Sequence, residues 1–324
     1  MTSRFPLIIA LAALAPLLAI RPAAAQKGAG SAGATVLQLI PGSRAAGFSG
    51  GYSAMTGDAD VLFYNPAGIS SLQAGAALSY QPLVEGMGFG SVAASFHLGR
   101  LALGAGVSYL NGGTVDEITP DPLYGDQRGK ATGATASANE SAARIAAALP
   151  LANGRFRLGA AAGFISSDIA GSSAGTPLFD VGLQAGLIPS LSAGVALRNL
   201  GGSLGKDTVS APLPSEARVG LSFARATSSG LGLALSADFV AGLQDGTSGV
   251  AGGVEVGLLR ASSHGFGAVA RVGYDQAQGS GGLAPLQLGG GLSLGNIALD
   301  YTFEDMNNFG AVHRFGVRWT SPLK

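Results

Sequence analysis

From residue 74 onward, apolar residues recur at every second position. In 156–164 the apolar set is Phe156, Leu158, Ala160, Ala162 and Phe164, alternating with Arg157, Gly159, Ala161 and Gly163. In 179–187 it is Phe179, Val181, Leu183, Ala185 and Leu187, against Asp180, Gly182, Gln184 and Gly186. In 231–239 Leu231, Leu233, Leu235, Ala237 and Phe239 face away from Ser236 and Asp238. A helical period would spread these residues around the axis, so the pattern predicts strands. Such segments fall at 74–80, 88–98, 101–110, 140–151, 156–166, 177–187, 191–200, 216–224, 230–240, 249–258, 266–274, 286–294, 297–303 and 312–319. They number 14, an even count, as single-chain membrane barrels require. Most are close to the about 9–11 residues that a tilted strand needs to cross a bilayer.

The connections support the same reading. Every second one is short: 99–100, 152–155 with Asn153-Gly154, 188–190, 225–229, 259–265 and 295–296. These suit periplasmic turns, and Asn-Gly and Gly-Asn are tight-hairpin pairs. The others, at 81–87, 111–139, 167–176, 201–215, 241–248, 275–285 and 304–311, are expected as longer external loops. A soluble β-sandwich does not predict that alternation around the whole chain.

One stretch breaks the pattern. Residues 42–71 are dense in Gly and Ala and contain Asn65-Pro66-Ala67-Gly68. We expect a plug inside the barrel lumen, with Arg44, Gly47, Gly50, Gly51, Asp58, Asp60, Asn65, Pro66 and Gly68 as its key positions. Glycine permits tight turns and close backbone approach, and Asn-Pro suits a fixed turn. Arg44 is expected to meet an inward acid, and Asp58 an inward Arg. The boundaries read as a signal peptide at 1–25, an extension and plug at 26–73, the barrel at 74–319 and a tail at 320–324.

Composition changes the setting rather than the fold. Charged residues make up 12%, about half the usual quarter, and mean hydropathy is +0.36. No segment after the N-terminus has the about 18 consecutive apolar residues of a spanning helix. High hydropathy without such a span is what an outer-membrane β-barrel gives. At the N-terminus, Arg4, the apolar run 7–20 and Ala23-Ala24-Ala25 before Gln26 read as a Sec signal cleaved near Ala25. That places the protein in the outer membrane of a Gram-negative-type envelope, in contact with lipid. Net charge is +0, which argues against nucleic acid as a partner. The absence of Cys excludes disulfides, thiol catalysis and a lipoprotein anchor.

The charges inside strands are Glu140, Arg144, Arg157, Asp180, Arg198, Glu216, Arg218, Asp238, Glu255, Arg271, Asp300, Arg314 and Arg318. All lie on the face opposite the large apolar residues. An Arg facing lipid at mid-bilayer costs about 2–4 kcal/mol, so this face is assigned to the lumen. Neighbouring strands offer pairs such as Asp180 with Arg198 and Asp300 with Arg314. The charges read as a cross-strand ladder that holds the plug, or as a polar track for a ligand or ion. Tyr80, Phe89, Tyr109, Phe156, Phe164, Phe179, Tyr274, Tyr301 and Trp319 sit near strand ends, as interfacial girdles do.

Chemistry is sparse. His97, expected in the lumen, His264, in a turn, and His313, at the start of the last strand, show no metal spacing. Gly47-Phe48-Ser49-Gly50-Gly51 has the form of a nucleophile elbow, and Gly28, Gly30 and Gly33 the form of a dinucleotide fingerprint. Neither has the strand-to-helix context its chemistry needs. Asp116, Glu117, Asp121 and Asp126 make 111–139 acidic, as a solvated loop or as a cation or partner site. No enzyme activity, cofactor or metal is expected.

Four groups of residues resemble the PorV/PorQ family, within the wider FadL-like barrel superfamily. They are 42–51 with Asp58 and Asn65-Pro66-Ala67-Gly68; Asp180-Val181-Gly182-Leu183 with 194–201; Leu213-Pro214 with Arg218-Val219-Gly220; and Gly253-Val254-Glu255, Arg271-Val272-Gly273-Tyr274, Leu299-Asp300-Tyr301 and His313-Arg314-Phe315-Gly316. Phe48 departs from the more flexible apolar residue common in the family. The resemblance implies a 14-stranded plugged barrel with one of two roles. One is a protein-binding component of a type IX-like secretion or surface-attachment pathway, with exported proteins or secretion-machine subunits as partners. The alternative is a FadL-like transporter of hydrophobic small molecules.

Overall fold

The computed structural model describes residues 32–124, 128–206, 209–228, 230–258, 266–276, 286–305 and 310–323. The expected signal peptide, Gly28, Gly30, Asp126, His264 and the 259–265 turn lie outside the described residues.

Fourteen antiparallel strands close into a barrel. They are β1 (Leu72–Pro82), β2 (Gly88–Leu98), β3 (Leu101–Pro120), β4 (Gly129–Leu151), β5 (Phe156–Ile169), β6 (Ser172–Ile188), β7 (Leu191–Gly201), β10 (Glu216–Ala226), β11 (Leu231–Gly242), β12 (Ser248–Leu258), β13 (Phe266–Asp275), β14 (Leu286–Leu294), β15 (Ile297–Asp305) and β16 (Ala311–Pro322). Two short strands, β8 (Ser203–Lys206) and β9 (Val209–Pro212), form a separate hairpin between β7 and β10. The first barrel strand pairs with the last, placing Leu78 opposite Val317 and Ala76 opposite Trp319. Closure leaves no open sheet edge, the condition for a sheet to lie in lipid. β1 begins at Leu72 and β16 ends at Pro322, slightly outside the expected 74–319.

The outward face is an apolar belt. Leu183, Val195, Val254, Leu288, Leu299 and Val317 are all exposed, at 39–55%. On a soluble protein this surface would drive association; in a bilayer it meets acyl chains. Eight of the nine expected girdle aromatics are exposed on this face. Phe89 is the correction: it is buried on the inward side of β2, where outward positions are the even ones, such as Val92 and Phe96.

Two expected loops are strand instead. β3 and β4 remain paired from Asn111↔Asn139 out to Pro120↔Gly129, with irregularities at 111/114 and 116/118. At about 3.3 Å per residue the part beyond residue 111 projects on the order of 30 Å. Likewise 167–176 is a tight hairpin, with Ala170 and Gly171 both at positive φ between β5 and β6. Period-two contrast exists only where one face meets lipid and the other the lumen. Beyond the bilayer both faces meet water, so these strands carry no such contrast in sequence.

An outward Arg tests the membrane assignment. Val195→Arg, in the middle of β7, is expected to cost about 2–4 kcal/mol. A lower urea midpoint in lipid vesicles, read as loss of the folded band on unheated gels, is the expected result.

Candidate functional site in the barrel interior

Residues 34–71 form an inner segment that packs against the lumen-facing side of the wall. Its helical pieces are short: Thr35–Leu37, Ser43–Ala46, Ala59–Phe63 and Pro66–Ser71. Phe48, Tyr52, Leu62, Phe63, Tyr64 and Ile69 are almost completely buried. A backbone this irregular satisfies few of its own polar groups, so wall side chains do it. The Gly42 amide donates to Ser79 Oγ (3.2 Å) and Ser91 Oγ (3.1 Å). The amides of Tyr52 and Ser53 donate to Asp238 Oδ2 at 3.0 and 2.9 Å. Gln184 Nε2 donates to the carbonyls of Ser53 and Met55, both at 3.0 Å. Ser222 Oγ donates to Ala54 O (2.8 Å), Thr302 Oγ1 to Ser43 O (2.8 Å) and Arg218 Nη1 to Gly50 O (2.7 Å). Arg314 donates to Ile40 O and to Gln81 Oε1.

The Asn65-Pro66-Ala67-Gly68 motif is a clamp onto the wall. Asn65 Oδ1 accepts from the Ala67 amide (3.1 Å), capping the helix that Pro66 starts. Asn65 Nδ2 donates to Ser53 O (2.8 Å) and to two wall carbonyls, Leu183 O on β6 (3.2 Å) and Val195 O on β7 (3.3 Å). Two wall glycines permit this approach. A Cβ on Gly182 would lie 1.9 Å from Asn65 Oδ1, and one on Gly194 would lie 2.2 Å from Ser53 O.

A closed circuit of ion pairs fixes the other end of the segment. Arg44 pairs with Asp58 (3.0 Å) and with Glu255 on β12 (2.9 Å). Glu255 pairs with Arg271 on β13 (2.5 Å), and Arg271 with Asp300 on β15 (2.7 Å). Asp300 pairs with Arg318 on β16 (2.5 Å), and Arg318 lies 3.7 Å from Asp58. Three cations and three anions alternate around the circuit, which is electrically neutral.

A second cluster runs from β4 to β11. Arg144 pairs with Asp180 (2.8 Å), Glu216 with Arg198 and with Arg218 (2.8 Å), and Arg218 lies 3.6 Å from Asp238. The pairings differ from those expected from strand adjacency. Asp180 meets Arg144 rather than Arg198, because a bulge between Phe179 and Val181 turns it toward the Asn199 amide (2.6 Å). Asp300 meets Arg271 and Arg318 rather than Arg314, which is directed to the inner segment. Glu140 accepts from the Val36 amide (2.7 Å), and Arg157 is half-buried and joins neither cluster. Gly47 lies against Arg271, while Gly50 has φ 74° and Gly51 sits against the Ala251 carbonyl. Ser49, in the apparent nucleophile motif, has a buried hydroxyl with no hydrogen-bond partner, and so no bonded base, among the described residues. His97 bonds Leu72 O (2.6 Å) and His313 bonds the Tyr301 hydroxyl (2.8 Å). Among the described residues no group of three or more His, Asp or Glu is placed to hold a metal.

Reading the chain for charge missed the uncharged polar contacts: Ser79, Gln81, Ser91, Gln184, Asn199, Ser222 and Thr302. All but Asn199 sit at inward positions of their strands, which is the signal that identifies them; Asn199 has the parity of the outward Val195 and Leu197 and is turned inward by the irregularity at its φ of 56°. The charged groups extend as far as Arg144 on β4, whose guanidinium lies 5.9 Å from the centre of the Phe63 ring. Beside it, Leu62, Phe63 and Ile69 pack against Ala93, Ala102, Ala146, Ala148 and Ala161, with Gly104 and Gly106 admitting Leu62 and Phe63. Outside that sector the wall carries an apolar depression of about 680 Å³ lined by Ala and Gly between Phe96, Ile145 and Phe179. A smaller cavity, about 250 Å³, lies between residues 37–41 and strands β7, β10, β11 and β12.

No protein-family model matches the chain, and no curated protein sequence matches it. The fold does have solved counterparts. The toluene transporter TbuX of Ralstonia pickettii is similar over 89% of this chain and all of its own, with a TM-score of 0.58 and 15% identity. The CymD monoaromatic hydrocarbon channel is similar over 88% of this chain and 99% of its own, with a TM-score of 0.59 and 12% identity. A FadL homologue of Pseudomonas aeruginosa is similar over 87% and 98%, with a TM-score of 0.52 and 12% identity. The chain has the FadL-like outer-membrane barrel fold.

Two measurements probe the interior. Arg44→Met leaves Asp58 and Glu255 short of a cation, at an expected cost of about 3–5 kcal/mol. The readout is faster proteolysis within residues 42–71 while the barrel band stays folded. Asp60 gives a pH signature. Burial pushes its carboxyl up from 3.8 to about 8, with the Asp58 charge adding to the rise and Arg318 opposing it. The seated segment therefore holds a proton on Asp60 that a released segment loses above about pH 4. Seating weakens as pH rises from about 4 to about 8 and levels off beyond. Asp60→Asn is expected to flatten that dependence, so that its melting midpoint between about pH 6 and about pH 9 changes less than that of the parent.

Proposed function

We propose that this protein is an outer-membrane channel for small hydrophobic molecules, with residues 34–71 as a plug seated in its lumen. The observation that carries the reading is the pairing of a complete 14-strand barrel with a buried N-terminal segment in a fold shared with hydrocarbon channels over 88–89% of the chain. The contacts of Leu62, Phe63 and Ile69 with Ala and Gly of β2–β5 support it. The ion pairs hold the segment, while this apolar packing gives a hydrophobic solute a surface to pass. An open aqueous pore does not suit an interior filled this way.

The resemblance to PorV/PorQ implied the opposite order, with protein binding in secretion placed first. The structural neighbours favour the channel over it. The ribbon formed by β3 and β4 is the feature a protein-binding role would use, and removing its projecting part distinguishes the two. A variant lacking 113–137, closed by an Asn-Gly turn, is expected to keep hydrocarbon passage.

Reconstituted liposomes are expected to take up toluene faster than protein-free ones while showing no matching rise in ion conductance. Uptake equal to that of empty liposomes would sink the channel reading.

A further inference from the structure

The net charge of +0 conceals a separation of charge along the barrel axis. The short turns and the end of β16 mark one rim. Within 97–102, 145–162, 186–194, 222–234, 256–268, 292–298 and 317–324 the sequence holds no Asp and no Glu. Arg100, Arg155 and Arg225 stand on this rim, all exposed and without an ion pair among the described residues. The opposite rim is acidic. Glu85, Asp116, Glu117, Asp121, Asp168 and Asp305 lie on its strand ends and connections, against Arg128, Lys130 and Lys206.

Each of the three arginines sits where the apolar belt meets water. Arg100 is in the turn between β2 and β3, flanked by the exposed Leu98 and Leu101. The Arg155 guanidinium lies 5.9 Å from the centre of the ring of Phe156, which is exposed on the outward face. Arg225 has the parity of the outward Val219 and Leu221 on β10 and lies opposite Leu233 on β11. A long side chain rooted on that line rests its stem on apolar surface and carries its charge to the headgroup level. The planar guanidinium fork matches a phosphate, and no carboxylate of this rim competes for it. An acidic polypeptide would match the charge but would approach from the water side. The three arginines border the lipid face, where the anions are phosphodiesters.

We infer that the short-turn rim is a docking surface for the headgroups of anionic phospholipids, with Arg100, Arg155 and Arg225 each donating to a phosphate. The acidic rim repels the same headgroups, so the two rims together favour one orientation across the bilayer. This surface lies outside the lumen, and its occupancy does not depend on whether solutes pass.

Phenylglyoxal labelling of the full-length barrel in lipid nanodiscs, read for each arginine by mass spectrometry, tests the surface directly, because both rims face solvent there. Replacing about a third of the phosphatidylcholine by phosphatidylglycerol is expected to slow labelling of Arg100, Arg155 and Arg225 about fivefold, the worth of one Arg at an anionic surface. Arg128, on the opposite rim, is expected to label at an unchanged rate. Soluble poly-glutamate added to phosphatidylcholine discs is expected to protect none of them. Urea unfolding in vesicles gives a second reading. Phosphatidylglycerol is expected to raise the midpoint of the parent and of Lys130→Gln equally, and that of the combined Arg100→Gln, Arg155→Gln and Arg225→Gln variant much less. The inference is overturned by equal labelling in the two lipids, by equal slowing at Arg128, by protection from poly-glutamate rather than lipid, or by the triple variant keeping the full gain. Loss of that gain in Lys130→Gln would overturn it as well, since net charge and not the rim would then be responsible.

Discussion

An irregular backbone inside a membrane barrel has little water to bond to, and the rest of this structure follows from that constraint. Strands satisfy one another around the closed wall, but residues 34–71 have only short helical pieces to satisfy themselves. Their amides and carbonyls are met from outside by wall Ser, Thr, Gln, Asp and Arg side chains. The wall is therefore polar where the segment's backbone approaches and small where its side chains do. Asn65 belongs to both categories, since one amide group caps a helix and reaches two strands.

The ion-pair circuit adds position rather than simple stability. A buried charge pair is costly to desolvate, and hydrophobic replacements of equal volume often do as well. What a circuit of alternating charges provides is intolerance of misplacement: moving Arg44 leaves two buried anions short of a partner at once. Four strands share that constraint with two residues of the inner segment. Asp60 lies beside the circuit and outside it, with no ion pair among the described residues, and burial beside the Asp58 charge raises its carboxyl well above the usual range.

Apolar packing complements this arrangement. Leu62 and Ile69 meet Ala and Gly of the wall, and Phe63 does so beneath the Arg144 guanidinium. Dispersion contacts have no directionality and re-form after a shift, whereas the ion pairs are held in one register.

The sequence by itself determined the barrel: strand count, face assignment and the inward placement of the charges all follow from period-two contrast between lipid and lumen. It also marked 42–71 as foreign to the wall. It did not determine strand length beyond the bilayer, because the outer parts of β3 and β4 meet water on both faces and carry no contrast to read. It misplaced Phe89, an aromatic near a strand end whose inward position shows only once the alternation of β2 is followed with Val92 and Phe96 outward. Partner choice among the charges was decided by tertiary structure alone. Arg144 rather than Arg198 meets Asp180 because a single bulge and an inserted segment set which side chains converge, and neither leaves a trace in the alternation.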